Sequence, residues 1–165
     1  MTETAFNQPM DEKFARHQKW GGTYLVVADS SEEFPVALKY AALMANENKC
    51  HVGVFYVMED QGFTHWSNIE KRIQDEQRNE AEKLLNQACI SLESYTDVMP
   101  SLYLTQGRRT DALIETIEND PTITMLVLAG GTYGGNPGPL VAHFTGKGLS
   151  RLRVPVMIVP DHIGL

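Results

Sequence analysis

The densest run of chemically suggestive residues is Gly130 to Gly138, where five glycines fall within nine residues. Glycine lets a backbone approach a ligand closely and aim its N–H groups at an anion, although a plain surface loop has the same composition. Asp29 ends an apolar run, where a carboxylate either accepts hydrogen bonds from a ligand or caps the helix that follows. Gly107-Arg108-Arg109 sets two cations beside a turn, within reach of a phosphate or simply solvated at a helix start. His51, His65, His143 and His162 are scattered and show no paired spacing of metal ligands, so no metal or redox cofactor is expected. Ser30 and Ser31 lack the Gly-x-Ser-x-Gly elbow, and no Cys/His pair stands out, so the expectation is a binding protein without catalytic residues. His65-Trp66 reads either as a lid or as a hydrophobic staple before a helix cap.

These residues are spaced by short apolar runs that alternate with amphipathic stretches. Tyr24-Leu25-Val26-Val27-Ala28 is apolar throughout, the pattern of a strand buried on both faces, and it places Asp29 at its carboxyl end. Pro35 suits the first turn of a helix in which Val36, Ala37, Tyr40, Ala41 and Met44 share one face, ending near Asn46 to Asn48. His51 to Val57 is a second buried strand, in which Gly53 allows a neighbour to come close. After a loop through Gly62, Ser67 and Glu70 have capping-box spacing, and Ala81, Leu84, Leu85, Ala88 and Leu92 form the stripe of a long helix. Ser101 to Thr105 is a weaker strand; a short helix with Leu113, Ile114 and Ile117 facing inward and Thr110 as its cap follows. Thr124 to Ala129 and Val154 to Val159 complete the strands.

Strands that alternate with helices predict a parallel sheet with right-handed crossovers and helices on both faces. In such sheets a ligand sits outside the carboxyl ends of the strands where the winding reverses. Asp29, Val57 and the loop after Ala129 are therefore the places to look.

Three segments in this order resemble the universal stress protein family. They are Leu25 to Glu32 with Ala37-Leu38 and Ala41-Ala42, then Gly107 to Ile117 leading into a strand that ends in Gly130-Gly131-Thr132-Tyr133-Gly134, and finally Val154 to Val159. The likeness covers roughly residues 23 to 160. It implies an α/β fold: a single doubly wound, Rossmann-like five-stranded parallel sheet of order 3-2-1-4-5, with helices on both faces. It also implies a regulatory or binding protein that holds AMP or ATP at the loop after the fourth strand and dimerises through its last strand. The alternative is a dimeric stress-related interaction or scaffold protein of the same fold that binds no nucleotide.

In this family the loop carries a Gly, two residues, a Gly, nine residues, then Gly and Ser or Thr. Gly131 and Gly134 match the first half, whereas the second pair falls on Phe144 and Thr145 by one count and on Ala142 and His143 by the other. Gly146-Lys147-Gly148 fills those positions only under a shifted alignment. The resemblance thus assigns Ala28, Asp29, Val57, Gly131, Gly134, His143 and Thr145 to the nucleotide, with Asp29 and the backbone near Val57 on the adenosine. Pro137 and Pro139 remove two N–H donors from the loop, and Gly135 to His143 contains no Lys or Arg. A helix terminus alone supplies about 0.3–1 kcal/mol against a surface anion, so the degraded loop favours AMP over tightly held ATP.

With 165 residues and 42% apolar content the chain suits one domain, here 23–165, preceded by an arm over 1–22 that shows no periodicity and is expected to be flexible. A formal charge of −7 argues against nucleic acid or anionic lipid as partner. The first 20 residues do not read as a signal peptide, no apolar run is long enough to span a bilayer, and the two cysteines suit buried thiols, so the expectation is a cytoplasmic protein.

Overall fold

The computed structural model describes residues 21–59 and 67–164. The arm before Gly21, the loop through Gly62 and the His65-Trp66 pair lie outside the described residues, as do the side chains of the Ser67–Glu70 capping box.

Nine strands and α-helices follow one another among the described residues: β1 (Thr23–Val27), α1 (Phe34–Glu47), β2 (His51–Met58), α2 (Ser67–Glu93), β3 (Ser101–Gln106), α3 (Arg109–Asn119), β4 (Ile123–Gly130), α4 (Pro139–Phe144) and β5 (Val156–Pro160). The strands form one parallel sheet in the order β3-β2-β1-β4-β5. In its register Val26 lies between Val54 and Val127. The central β1 is buried at every residue because helices cover both faces. By contrast β3, at one edge, alternates half-buried with exposed.

The period-two alternation of the strands splits the core in two. Val26, Val54 and Val127 pack under α1 and α2 with Phe34, Leu38, Leu85 and Leu92. On the opposite face Leu25, Val27, Phe55, Leu126 and Leu128 pack under α3 and α4 with Leu113, Ile117, Leu140 and Phe144. Burying each of these large side chains stabilises the fold by about 1.5–3 kcal/mol. Gly53 answers to close packing, since a Cβ there would stand 2.9 Å from Tyr103 Cε2 and 3.0 Å from Thr23 Cγ2.

Three boundaries and faces differ from the sequence reading. The face of α1 nearest the sheet is Ala37, Leu38, Ala41, Ala42 and Ala45, while Val36, Tyr40 and Met44 are only half-buried. Small alanines at closest approach rotate the helix away from the bulkier stripe. Thr110 is not the cap of α3: Gly107, at φ +132°, turns the chain early, so Arg108 takes the N-cap position and makes no side-chain cap hydrogen bond. The ladder of β5 begins at Val156 rather than Val154, because Pro155 lacks an N–H and gives only its carbonyl to Leu126 N–H at 3.0 Å. Val154 instead tucks into the core under α3 and α4.

Candidate functional site

β1 and β2 lead to helices on one face of the sheet, β3 and β4 to helices on the other. The winding therefore reverses between the neighbours β1 and β4, and in such sheets the crevice for a ligand lies outside their carboxyl ends.

Asp29 enters this crevice from β1. Ala28, buried, donates its N–H to Phe55 O at 2.7 Å, so the chain stays tied to β2 up to the residue before Asp29. Asp29 Oδ1 then accepts the Ser31 N–H at 2.9 Å, which closes a local turn. Helix α1 starts later, at Phe34, without a side-chain cap, so Asp29 shapes the turn rather than capping the helix.

Opposite it, the loop after β4 folds back. Gly134, Gly135 and Gly138 have φ of +70°, +70° and +98°, a backbone that side chains resist. Gly138 N–H donates to Asn136 Oδ1 at 3.1 Å, and the chain turns at once into Pro139 of α4. This return brings Pro137 to Val141 against Asp29, Val27, Leu128, Ala129 and Arg109 in a cleft of about 50 Å³. A cavity of about 290 Å³ shares Arg109, Pro139 and Leu140 with it and adds Glu59 and Gly107 to Thr110. Arg109 is fixed there by Glu59 at 2.9 Å, and Arg108 pairs with Asp111 at 3.7 Å. On its other side Asp29 also lines a groove of about 600 Å³ between α1 and α2, floored by Phe34, Leu38 and Leu84.

The other residues singled out in the sequence are placed as follows. Val57 is buried at the end of β2, opposite Thr105 of β3. Gly131 faces Glu33: a Cβ on it would stand 2.7 Å from Glu33 Oε1, whereas one on Gly134 would meet open space. His143 folds its ring against Gly148, with Nε2 buried and without a hydrogen-bond partner among the described residues. Thr145 turns its hydroxyl back to donate to Val141 O at 2.7 Å. The structure thus brings Asp29 to the Pro137–Val141 end of the loop; Gly131, Gly134, His143 and Thr145 do not line that cleft.

An acidic residue that the sequence reading passed over, Asp161, holds the near end of the loop. Thr132 donates its amide to Asp161 Oδ2 at 3.2 Å and its hydroxyl to Asp161 Oδ1 at 2.6 Å. Those bonds, led by the hydroxyl, hold the Asp161 carboxyl below its ordinary value, with His162 Nδ1 at 3.2 Å adding to the effect. Asp161 follows β5, so its place at a strand's carboxyl end was the one available signal. Among the described residues no cluster of His, Cys, Asp and Glu could hold a metal ion, and no helix is long and apolar enough to cross a membrane.

Strand order and the helices on both faces define a doubly wound α/β protein whose winding reverses between β1 and β4. Residues 23–160 match the universal stress protein family, and the chain belongs to that family. Among solved structures it is similar to the universal stress protein UspA from Lactobacillus plantarum, at 16% identity and TM-score 0.72 over 84% of this chain and 97% of that one. A universal stress protein from Archaeoglobus fulgidus in complex with dAMP matches at 18% identity and TM-score 0.58, over 85% and 98% of the two chains. A universal stress protein in complex with cAMP matches at 17% and 0.58, over 85% and 97%. No curated protein sequence matches the chain.

Proposed function

We propose that this protein is a regulatory binding protein that holds an adenine nucleotide, AMP or ATP, in the crevice between β1 and β4, and that it works in the cytoplasm as a homodimer. The observation that carries the reading is the meeting of Asp29 with the returning loop in one cleft beside Arg109. Asp29 would accept hydrogen bonds from the adenosine, the backbone at Ala28 and Val57 would flank it, and Gly131 and Gly134 would give the loop its close approach. Relatives of the same fold in complex with dAMP and cAMP support the choice of ligand.

The homodimer would form through β5. Among the described residues that strand pairs only with β4, so one of its edges is open, and Ile158 on it is 40% exposed. Two copies of the strand meeting about a two-fold axis would cover both.

A second reading keeps the fold and the dimer but no nucleotide, leaving an interaction or scaffold protein. It is favoured by Glu33 and Asp161, which set two carboxylates on the near end of the loop. Calorimetric titration of nucleotide-free protein with adenosine, AMP and ATP, with mass spectrometry of whatever co-purifies, separates the two. Saturable heat with adenosine or AMP is expected; no heat at millimolar ligand together with an empty crevice leaves only the second reading.

A further inference from the structure

We propose that Asp161 is a built-in occupant of the anion-binding donors of the β4 loop and, with Glu33 standing beside Gly131, makes the site refuse polyphosphates, so that the chain takes adenosine and AMP but not ATP. The proposal rests on the nucleotide reading above and narrows it.

An amide and a hydroxyl that converge from one residue onto one anion are what a phosphate oxygen pair would need from this loop. At Thr132 both are already used, each on its own oxygen of the same carboxylate, at 3.2 and 2.6 Å. Asp161 is held in place by the backbone: its N–H donates to Gly130 O at 3.2 Å, and Ile163 N–H donates to Pro160 O at 3.3 Å in the turn that follows. A tethered anion competes at an effective concentration of roughly millimolar or more, which a free phosphate has to exceed. Glu33 stands against Gly131, where its Oε1 would lie 2.7 Å from a Cβ, so a chain of phosphates laid along the loop would meet a second carboxylate. The side chain beside Asp161 is the imidazole of His162, and Gly135 to His143 brings no Lys or Arg to offset the two acids. Charge therefore weighs against each added phosphate, while an uncharged adenosine is indifferent to it.

The test compares adenosine, AMP and ATP on the full chain and on Asp161→Asn and Asp161→Asn/Glu33→Gln, which keep side-chain size; melting curves establish that the variants fold. The wild-type chain should bind AMP at least about tenfold more tightly than ATP, and the double variant should gain about tenfold or more for ATP with adenosine unchanged. Wild-type ATP affinity equal to that for AMP, or no gain in the double variant, overturns the proposal. If the wild-type chain binds neither adenosine nor AMP, the nucleotide reading falls on its own. The proposal is then decided by pyrophosphate followed through the Thr132 amide resonance: a shift in the variants but not in the wild type supports it, and none in the variants overturns it.

Discussion

Asp29 and Arg109, from the ends of β1 and the start of α3, line the same narrow cleft, one as acceptor and the other as a cation already paired with Glu59 at 2.9 Å. A neutral adenosine can use the acceptor without disturbing the pair. Replacing Asp29 by Ala removes a charged acceptor worth about 1.5–3 kcal/mol, so adenosine and AMP should bind roughly 10- to 100-fold more weakly. Asp29→Asn should lose less, because one amide oxygen still accepts. Calorimetry checks both, and equal affinities across the three proteins would remove Asp29 from the site.

Arg153 closes the far end of α3. Its guanidinium donates to Ile117 O, to Asp120 O at 2.6 Å and to Ile123 O at 3.0 Å, tying the last turn of α3 to the turn that follows and to the start of β4. Arg153→Ala should cost about 1.5–3 kcal/mol, read as a lower urea midpoint with an unchanged slope. Arg153→Lys should restore only part, since an ammonium cannot span three carbonyls as the planar fork does. Full rescue by Lys would mean that charge alone matters there.

Much of this architecture was legible because local pattern and tertiary role agree. The unbroken apolar run Tyr24 to Ala28 has the pattern of a strand covered on both faces, and the chain forms one over Thr23–Val27. Where neighbours decide, the sequence was silent or misleading. Thr110 looked like a cap because the geometry of Gly107, which starts α3 sooner, is not written in residue type. The glycines after β4 were visible as a flexible anion-type loop, but the fact that Thr132 already holds a carboxylate depends on a partner 29 residues away. Cleft residues such as Glu59 and Leu140 likewise carry no motif and come together only through the sheet order.

Gly148 is a glycine for want of space. Its φ is an ordinary −79°, yet a Cβ on it would stand 2.2 Å from His143 Cδ2 and 2.4 Å from Nε2. Gly148→Ala should force His143 out of its place and cost about 1–3 kcal/mol in denaturant unfolding. Combining it with His143→Ala should recover only part of that loss, because the ring clash disappears while the contact with His143 O at 2.9 Å stays; additive losses would place the strain elsewhere.

The dimer is tested at Ile158. A carboxylate in its place on β5 would be desolvated when two copies pair, while in a monomer it would stay in water. Ile158→Asp should therefore give a monomer by light scattering at micromolar concentration, with the wild type at twice that mass. A wild-type monomer under the same conditions overturns the dimer outright.

The contact between Thr132 and Asp161 makes a prediction in acid. The folded-state pKa of Asp161 lies below its ordinary 3.8, so the contact contributes in full above that value and is lost as the pH falls through the lower, folded one. In a His162→Gln background, which removes the neighbouring imidazole, the Thr132 amide resonance should hold steady from neutral pH down to 3.8 and move only below it. Thr132→Val keeps the amide and deletes the hydroxyl, the larger of the two influences, so the Asp161 carboxyl resonance should then titrate closer to its ordinary value. An inflection at the ordinary value in both proteins would mean that the carboxylate is not held by Thr132 in solution, and the occupied-loop proposal would lose its physical basis with it.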